Sequence, residues 1–102
     1  MSKNINIGET LLATFLNELG IDFETQTPVC PGRRWRWDFY LRRYAVAIEV
    51  DGYFNGKHGA GFGADNEKAN FGTMNGIRVL RFSTEYVKTG KAKDFLAEWL
   101  SQ

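Results

Sequence analysis

The stretch Ala45-Val46-Ala47-Ile48-Glu49-Val50-Asp51-Gly52 decides how the rest of the chain is read. Its apolar character is nearly continuous from Tyr44 to Asp51, which suits a central strand covered on both faces. Yet Glu49 and Asp51 set two carboxylates where apolar side chains belong. A fold tolerates that only if the charge is compensated, by a metal ion, by a cationic partner, or by exposure at the end of the strand.

Working back from this strand, Trp35, Trp37, Phe39 and Leu41 alternate with Arg34, Arg36, Asp38 and Tyr40. That two-residue period predicts a half-buried strand. If the two strands join through Arg42 and Arg43 alone, Tyr40 faces Ala45, Asp38 faces Ala47 and Arg36 faces Glu49. Asp38 and Glu49 then share one face as diagonal neighbours, and Asp51 joins them by the period of two. A one-residue slip would send Asp38 to the other face.

The remaining elements follow from spacing and punctuation. Ile7, Leu11, Leu12, Phe15, Leu16 and Leu19 repeat as on one side of a helix, roughly residues 7 to 19, with Gly20 at its end. Asp22 to Gln26 reads as a short strand before the Pro28 to Gly32 breaker. Five glycines between Gly52 and Gly63 predict a loop of the length that often carries function. Asp65 is placed to cap a second helix reaching about Asn75, and Gly76 to end it. Ile77 to Phe82 is a short apolar strand, and Lys91 to Leu100 a final amphipathic helix. The expected order is helix, three strands, helix, strand, helix: an α/β chain with a mixed, α+β type of sheet.

The 102 residues suffice for a single domain spanning 1–102 with one core. With 43% hydrophobic and 15% aromatic residues, the chain is far from the composition of disorder. No apolar run nears the ~20 residues needed to cross a membrane, and no signal-peptide pattern begins the chain, so a cytoplasmic protein is expected. Cys30 is the single cysteine, which excludes an internal disulfide framework and a thiolate zinc cluster. It reads as an inert thiol, because the only histidine, His58, lies in the distant glycine-rich stretch.

The net charge of +1 argues for no particular partner, but its distribution does. Arg33, Arg34, Arg36, Arg42 and Arg43 fall close together among Trp35, Trp37, Phe39 and Tyr40. Such a cationic and aromatic surface is what phosphate backbones recruit.

Carboxylates crowded in a partly apolar setting push one another's pKa upward, and a divalent cation relieves the repulsion. Oxygen-rich clusters with open positions are how Mg²⁺ or Mn²⁺ are held for phosphoryl transfer. A structural reading stands beside this one: Arg36 opposite Glu49 as a cross-strand ion pair, and Asp51-Gly52 as a turn.

Taken together, "RRWRWDFY", "AIEVDG", "GKHGAGFGADNEKAN" and "GIRVLRFS" resemble the PD-(D/E)XK restriction-endonuclease-like nuclease superfamily, in particular its small phage-type and very-short-patch-repair-like members. The resemblance spans about residues 7 to 87 and implies a restriction-endonuclease-like core. It implies metal-binding roles for Asp38 and Glu49, with the Val50 carbonyl as an extra ligand. The superfamily usually places a lysine two residues after the second acid, where this chain has Asp51. Related families carry the same acid-x-Asp variant or move the lysine to the following helix, which singles out Lys68, with Lys57 as a rival. The other reading of Lys68 is a solvated helix residue paired with Asp65. Similar families also keep a histidine shortly after this strand, which implies a proton-relay role for His58. Glu9 on the first helix reads either as an outer acid or as a first-turn acid favoured by the helix dipole.

These readings imply a Mg²⁺- or Mn²⁺-dependent DNA endonuclease with Asp38, Glu49, Asp51, Lys68 and His58 as its catalytic set. The arginines at 33, 34, 36, 42 and 43 would bind phosphates. Two alternatives remain open: a non-catalytic nucleic-acid-binding domain that keeps the fold, and a nuclease for RNA or branched junctions. So small a surface suits a homodimer or a structure-specific target better than a long recognition site.

Overall fold

The computed structural model describes residues 7–52 and 60–100. Helix α1 (Ile7–Glu18) precedes three antiparallel strands, β1 (Glu24–Pro28), β2 (Arg36–Leu41) and β3 (Val46–Asp51). Helix α2 (Ala60–Met74) then leads to β4 (Arg78–Ser83), α3 (Thr84–Lys88) and α4 (Lys91–Leu100). The sheet has the order β1-β2-β3-β4, with β4 parallel to β3. This is the expected mixed α+β architecture, with departures in three elements. Strand β1 starts two residues later than expected and runs through Pro28, which ends the strand instead of lying beyond it. Helix α2 starts at Ala60, so Asp65 lies inside it instead of capping it, and Gly61 and Gly63 are helical, not part of a loop. The five-residue α3 was not expected. Ser83 caps it by accepting a hydrogen bond from the Tyr86 amide at 3.0 Å.

One face of the sheet holds the main core. Phe39, Leu41, Val46, Ile48, Val50 and Phe82 pack there against Leu12 and Leu16 of α1, Val87 of α3, and Ala92, Leu96 and Leu100 of α4. Helix α2 covers the opposite face. Strand β3 lies between β2 and β4 and is buried from Val46 to Val50, so its run of apolar residues does mark a strand covered on both sides.

The β2–β3 connection corrects the expected register. It is a 3-10 turn over Arg42–Tyr44 followed by Ala45 in the left-handed region at φ +53°, not a two-residue hairpin loop. The two extra residues shift the partners to Leu41–Val46, Tyr40–Ala47 and Phe39–Ile48. Since side chains repeat every second residue, a two-residue shift keeps the faces of the paired residues as expected. Past the ladder, Trp37 leaves the alternation and packs with Gly72 and Val79 on the α2 side instead of with Phe39 and Leu41. Carried one step past the last pair, this register sets Asp38, not Arg36, opposite Glu49, and the two are joined by the Asp38 amide on the Glu49 carboxylate.

Helix α2 approaches the sheet closely through a residue without a side chain. A Cβ at Gly72 would lie 2.9 Å from Trp37 Cη2, 3.0 Å from Trp37 Cζ2 and 3.3 Å from Val79 Cγ2. Trp37 is a fully buried ring and has little room to yield. Gly72→Ala is therefore expected to destabilise the fold: overpacking costs about 1–3 kcal/mol, offset in part by the ~1 kcal/mol of better helix propensity. Urea unfolding reads this directly, and a variant more stable than the parent would contradict the close packing.

Candidate active site

The expected acids meet where β2 and β3 stop pairing as a regular ladder. The Asp38 amide donates to Glu49 Oε2 at 2.9 Å, and the Val50 amide donates to Asp38 Oδ2 at 2.9 Å. Each carboxylate thus takes the place of a carbonyl acceptor on the opposite strand. On the other side of β2 the pairing runs Thr25–Phe39, then Thr27–Trp37, stepping over Gln26 and Asp38. Gln26 itself sits at φ +51°. The backbone irregularity and the two acids therefore occur together.

Lys68 completes this arrangement from α2. Its ammonium donates to Glu49 Oε1 at 2.5 Å and to the Arg36 carbonyl at 2.9 Å, and it stands 5.5 Å from the centroid of the Trp37 ring. The two side chains of the ion pair are only 11% and 9% exposed. Lys68 is thus a buried partner of Glu49, in place of the solvated surface residue of the structural reading.

Burial sets the charge state of the acids. It pushes the Asp38 carboxyl up, as does the nearby Asp51 charge, against the Val50 amide and the Lys68 ammonium, which pull it down. Glu49 is likewise pushed up by burial and by Asp38, with Lys68 and the Asp38 amide acting the other way. Glu9 of α1 is raised by burial first and then by the charges of Asp38 and Glu49. Its first-turn carboxylate therefore feels the charges of both acids.

Asp51 has a different partner. Its carboxylate takes two hydrogen bonds from the Arg81 guanidinium, from Nε at 3.2 Å and from Nη2 at 3.0 Å, and its carbonyl accepts from the Thr84 hydroxyl at 3.3 Å. Arg81 was not foreseen from the sequence, although its place in "GIRVLRFS" on a strand parallel to β3 was the available signal. The arginines divide into two groups. Arg33, Arg34 and Arg36 lead into the acidic end of β2, where Arg33 lies 4.5 Å over Trp35 and 3.8 Å from Glu67. Arg42 and Arg43 lie at the turn, four to five residues beyond Asp38, a separation of about 13–17 Å along a strand. There Arg42 forms a bidentate pair with Glu24 at 2.6 and 2.9 Å. His58 and Lys57 lie outside the described residues.

The donor set is all oxygen, which fits a hard divalent cation. Among the described residues no three His, Cys, Asp or Glu side chains come together as a ready-made cage. A pair of carboxylates is still sufficient for Mg²⁺, which commonly takes one or two from the protein and completes its shell with water and substrate phosphate. Asp38 and Glu49 offer two such carboxylates, each tied to a backbone amide of the neighbouring strand.

The raised Asp38 carboxyl fixes the sign of a pH effect. A carboxyl raised in the folded state contributes stability that is complete below its unfolded pKa and is lost as pH rises through the folded value. Asp38→Asn, which keeps an oxygen to accept from Val50, escapes that loss. It is expected to be more stable than the parent at neutral pH, the gap closing toward about pH 4. Urea midpoints across this range test it; a gap that is constant with pH would refute the assignment.

No helix among the described residues is long and apolar enough to cross a membrane. No protein-family model matches the chain. No curated protein matches it. Among solved structures it is similar to the catalytic domain of the homing endonuclease I-Bth0305I, with a TM-score of 0.72 and 25% sequence identity over 89% of this chain and 90% of that domain. This likeness supports a nuclease fold for the chain.

Proposed function

We propose that the chain is a divalent-cation-dependent endonuclease that hydrolyses phosphodiester bonds in DNA. The observation that carries this reading is the Asp38–Glu49–Lys68 constellation at the ends of β2 and β3, in a fold similar to a homing endonuclease catalytic domain. Asp38 and Glu49 would hold Mg²⁺ or Mn²⁺, with the Val50 carbonyl as the neighbouring backbone oxygen. A cation bound there would lower the pKa of a water and neutralise charge developing on the phosphate.

The protein's own groups supply the remainder. Lys68 holds Glu49 in one orientation and offsets its charge inside the fold, so that the carboxylate is aimed when a cation arrives. Asp38 is fixed by the Val50 amide in the same way. His58 is the group to carry a proton to or from the attacking water or the leaving oxygen. Arg33, Arg34 and Arg36 lie on the approach to the acids and would hold the backbone near the cut. Arg42 and Arg43 would reach phosphates farther along, and such contacts position the duplex without reading its sequence.

Linear, nicked, branched and single-stranded DNA, with RNA beside them, incubated in Mg²⁺ or Mn²⁺, test the proposal. Cleavage of DNA is expected, with a loss of about two to three orders of magnitude in Glu49→Gln and Asp38→Asn. Cleavage undiminished in both variants would reject the site, and binding without cleavage in any divalent ion would mean a nucleic-acid-binding domain instead. Because burial raises both acids, activity is expected to fall with decreasing pH above the range in which ordinary carboxylates titrate. Thermal melts must accompany Lys68→Ala and Glu49→Ala, since removing one partner of a buried ion pair costs about 3–5 kcal/mol.

A further inference from the structure

Glu49 has a cation on each side, and the two differ in what they can reach. Lys68 is turned inward, with its ammonium on Glu49 and the Arg36 carbonyl and its side chain 11% exposed. Arg81 is the partner of Glu49 across the parallel β3–β4 pairing, one step from Asp51–Ser83 at the strand ends. Its side chain is 40% exposed, and that of Asp51 42%. The contact between them is the two-point Arg–carboxylate fork, which fixes the plane of the guanidinium as well as its position.

We propose that Arg81 is a substrate-phosphate-binding residue and that Asp51 is its positioning residue. This rests on the endonuclease reading above and assigns the two residues for which that reading has no mechanism. Asp51 stands where a lysine is expected by resemblance, and what it contributes is a held cation one strand away. The phosphate concerned is a neighbour of the one being cut, because Arg81 flanks Glu49 at the carboxyl ends of two parallel strands, the side of an open sheet at which ligands gather. Asp51 fixes the plane of the guanidinium, so the pair contributes orientation as well as attraction. An arginine already held in place loses less rotamer entropy when the phosphate arrives.

The roles predict opposite effects on binding and turnover. The probe is a fluorescent nicked duplex DNA, with binding measured in Ca²⁺ and cleavage in Mg²⁺. Arg81→Gln should raise KM roughly tenfold or more, the loss of one charge-assisted contact, and reduce the log–log salt slope of binding by about 0.9. Arg81→Lys should recover the salt slope but not the full kcat/KM, because a point charge cannot be gripped by the same fork. Asp51→Asn removes a negative charge, so it should tighten binding and yet lower kcat.

Arg81→Gln with unchanged KM and salt slope would overturn the proposal. So would an Asp51→Asn defect rescued by excess Mn²⁺, which would make Asp51 a metal ligand. Cleavage by the parent that is lost in Glu49→Gln but unaffected at Arg81 defeats this inference alone. A parent that neither binds nor cleaves the duplex defeats it together with the endonuclease reading.

Discussion

The buried contact between Lys68 and Glu49 is the constraint on which the site depends. A carboxylate in the central strand of a sheet has lost most of its hydration, and only a cation delivered at short range makes that acceptable. Helix α2 delivers it, which requires the helix to lie close to the sheet. Gly72, one turn beyond Lys68, permits that approach, with the Trp37 ring filling the space a side chain would take. The same ring lies near the Lys68 ammonium. Strand, helix, aromatic ring and ion pair are therefore one packing unit, and the acid cannot be understood apart from the glycine.

A second constraint lies in the strands themselves. Asp38 and Glu49 accept hydrogen bonds from the backbone of the opposite strand, so the site replaces part of the β ladder. Here the backbone neighbours orient them, and the burial that raises their pKa follows from the same placement. The fold accepts a locally irregular sheet, including the positive φ at Gln26, in exchange for two acids held in register.

Much of this was legible in the sequence, for reasons that differ by element. Strand β3 announced itself because a strand buried on both faces must be apolar throughout, and its two acids were conspicuous for the same reason. Strand β2 and helices α1 and α4 followed from amphipathic period. The turn between β2 and β3 was not legible: Arg-Arg-Tyr-Ala contains neither glycine nor asparagine, and the left-handed residue proved to be Ala45. The error was two residues, and it left the faces of the paired residues unchanged because a strand repeats every two, whereas the break of alternation at Asp38, which turns Trp37 toward α2, had no signal in the sequence. Helix α3 is too short to display a period, and its signal was only the capping Ser83. Lys68 could be named as a candidate from resemblance, but its partner could not, since the contact joins residues nineteen apart through a helix that begins well before the expected cap at Asp65.

The exchange of backbone for side-chain acceptors has a consequence for observing the molecule. The amides of Asp38 and Val50 report directly on the two carboxylates, because each donates to an oxygen that a cation or a proton would also claim. Whatever occupies the acids must loosen or polarise those two N–H bonds, while the neighbouring amides of the Phe39–Ile48 pair remain in the ordinary ladder. Two backbone amides on neighbouring strands thus serve as an internal spectroscopic gauge of the site's occupancy, readable by NMR before any substrate is known.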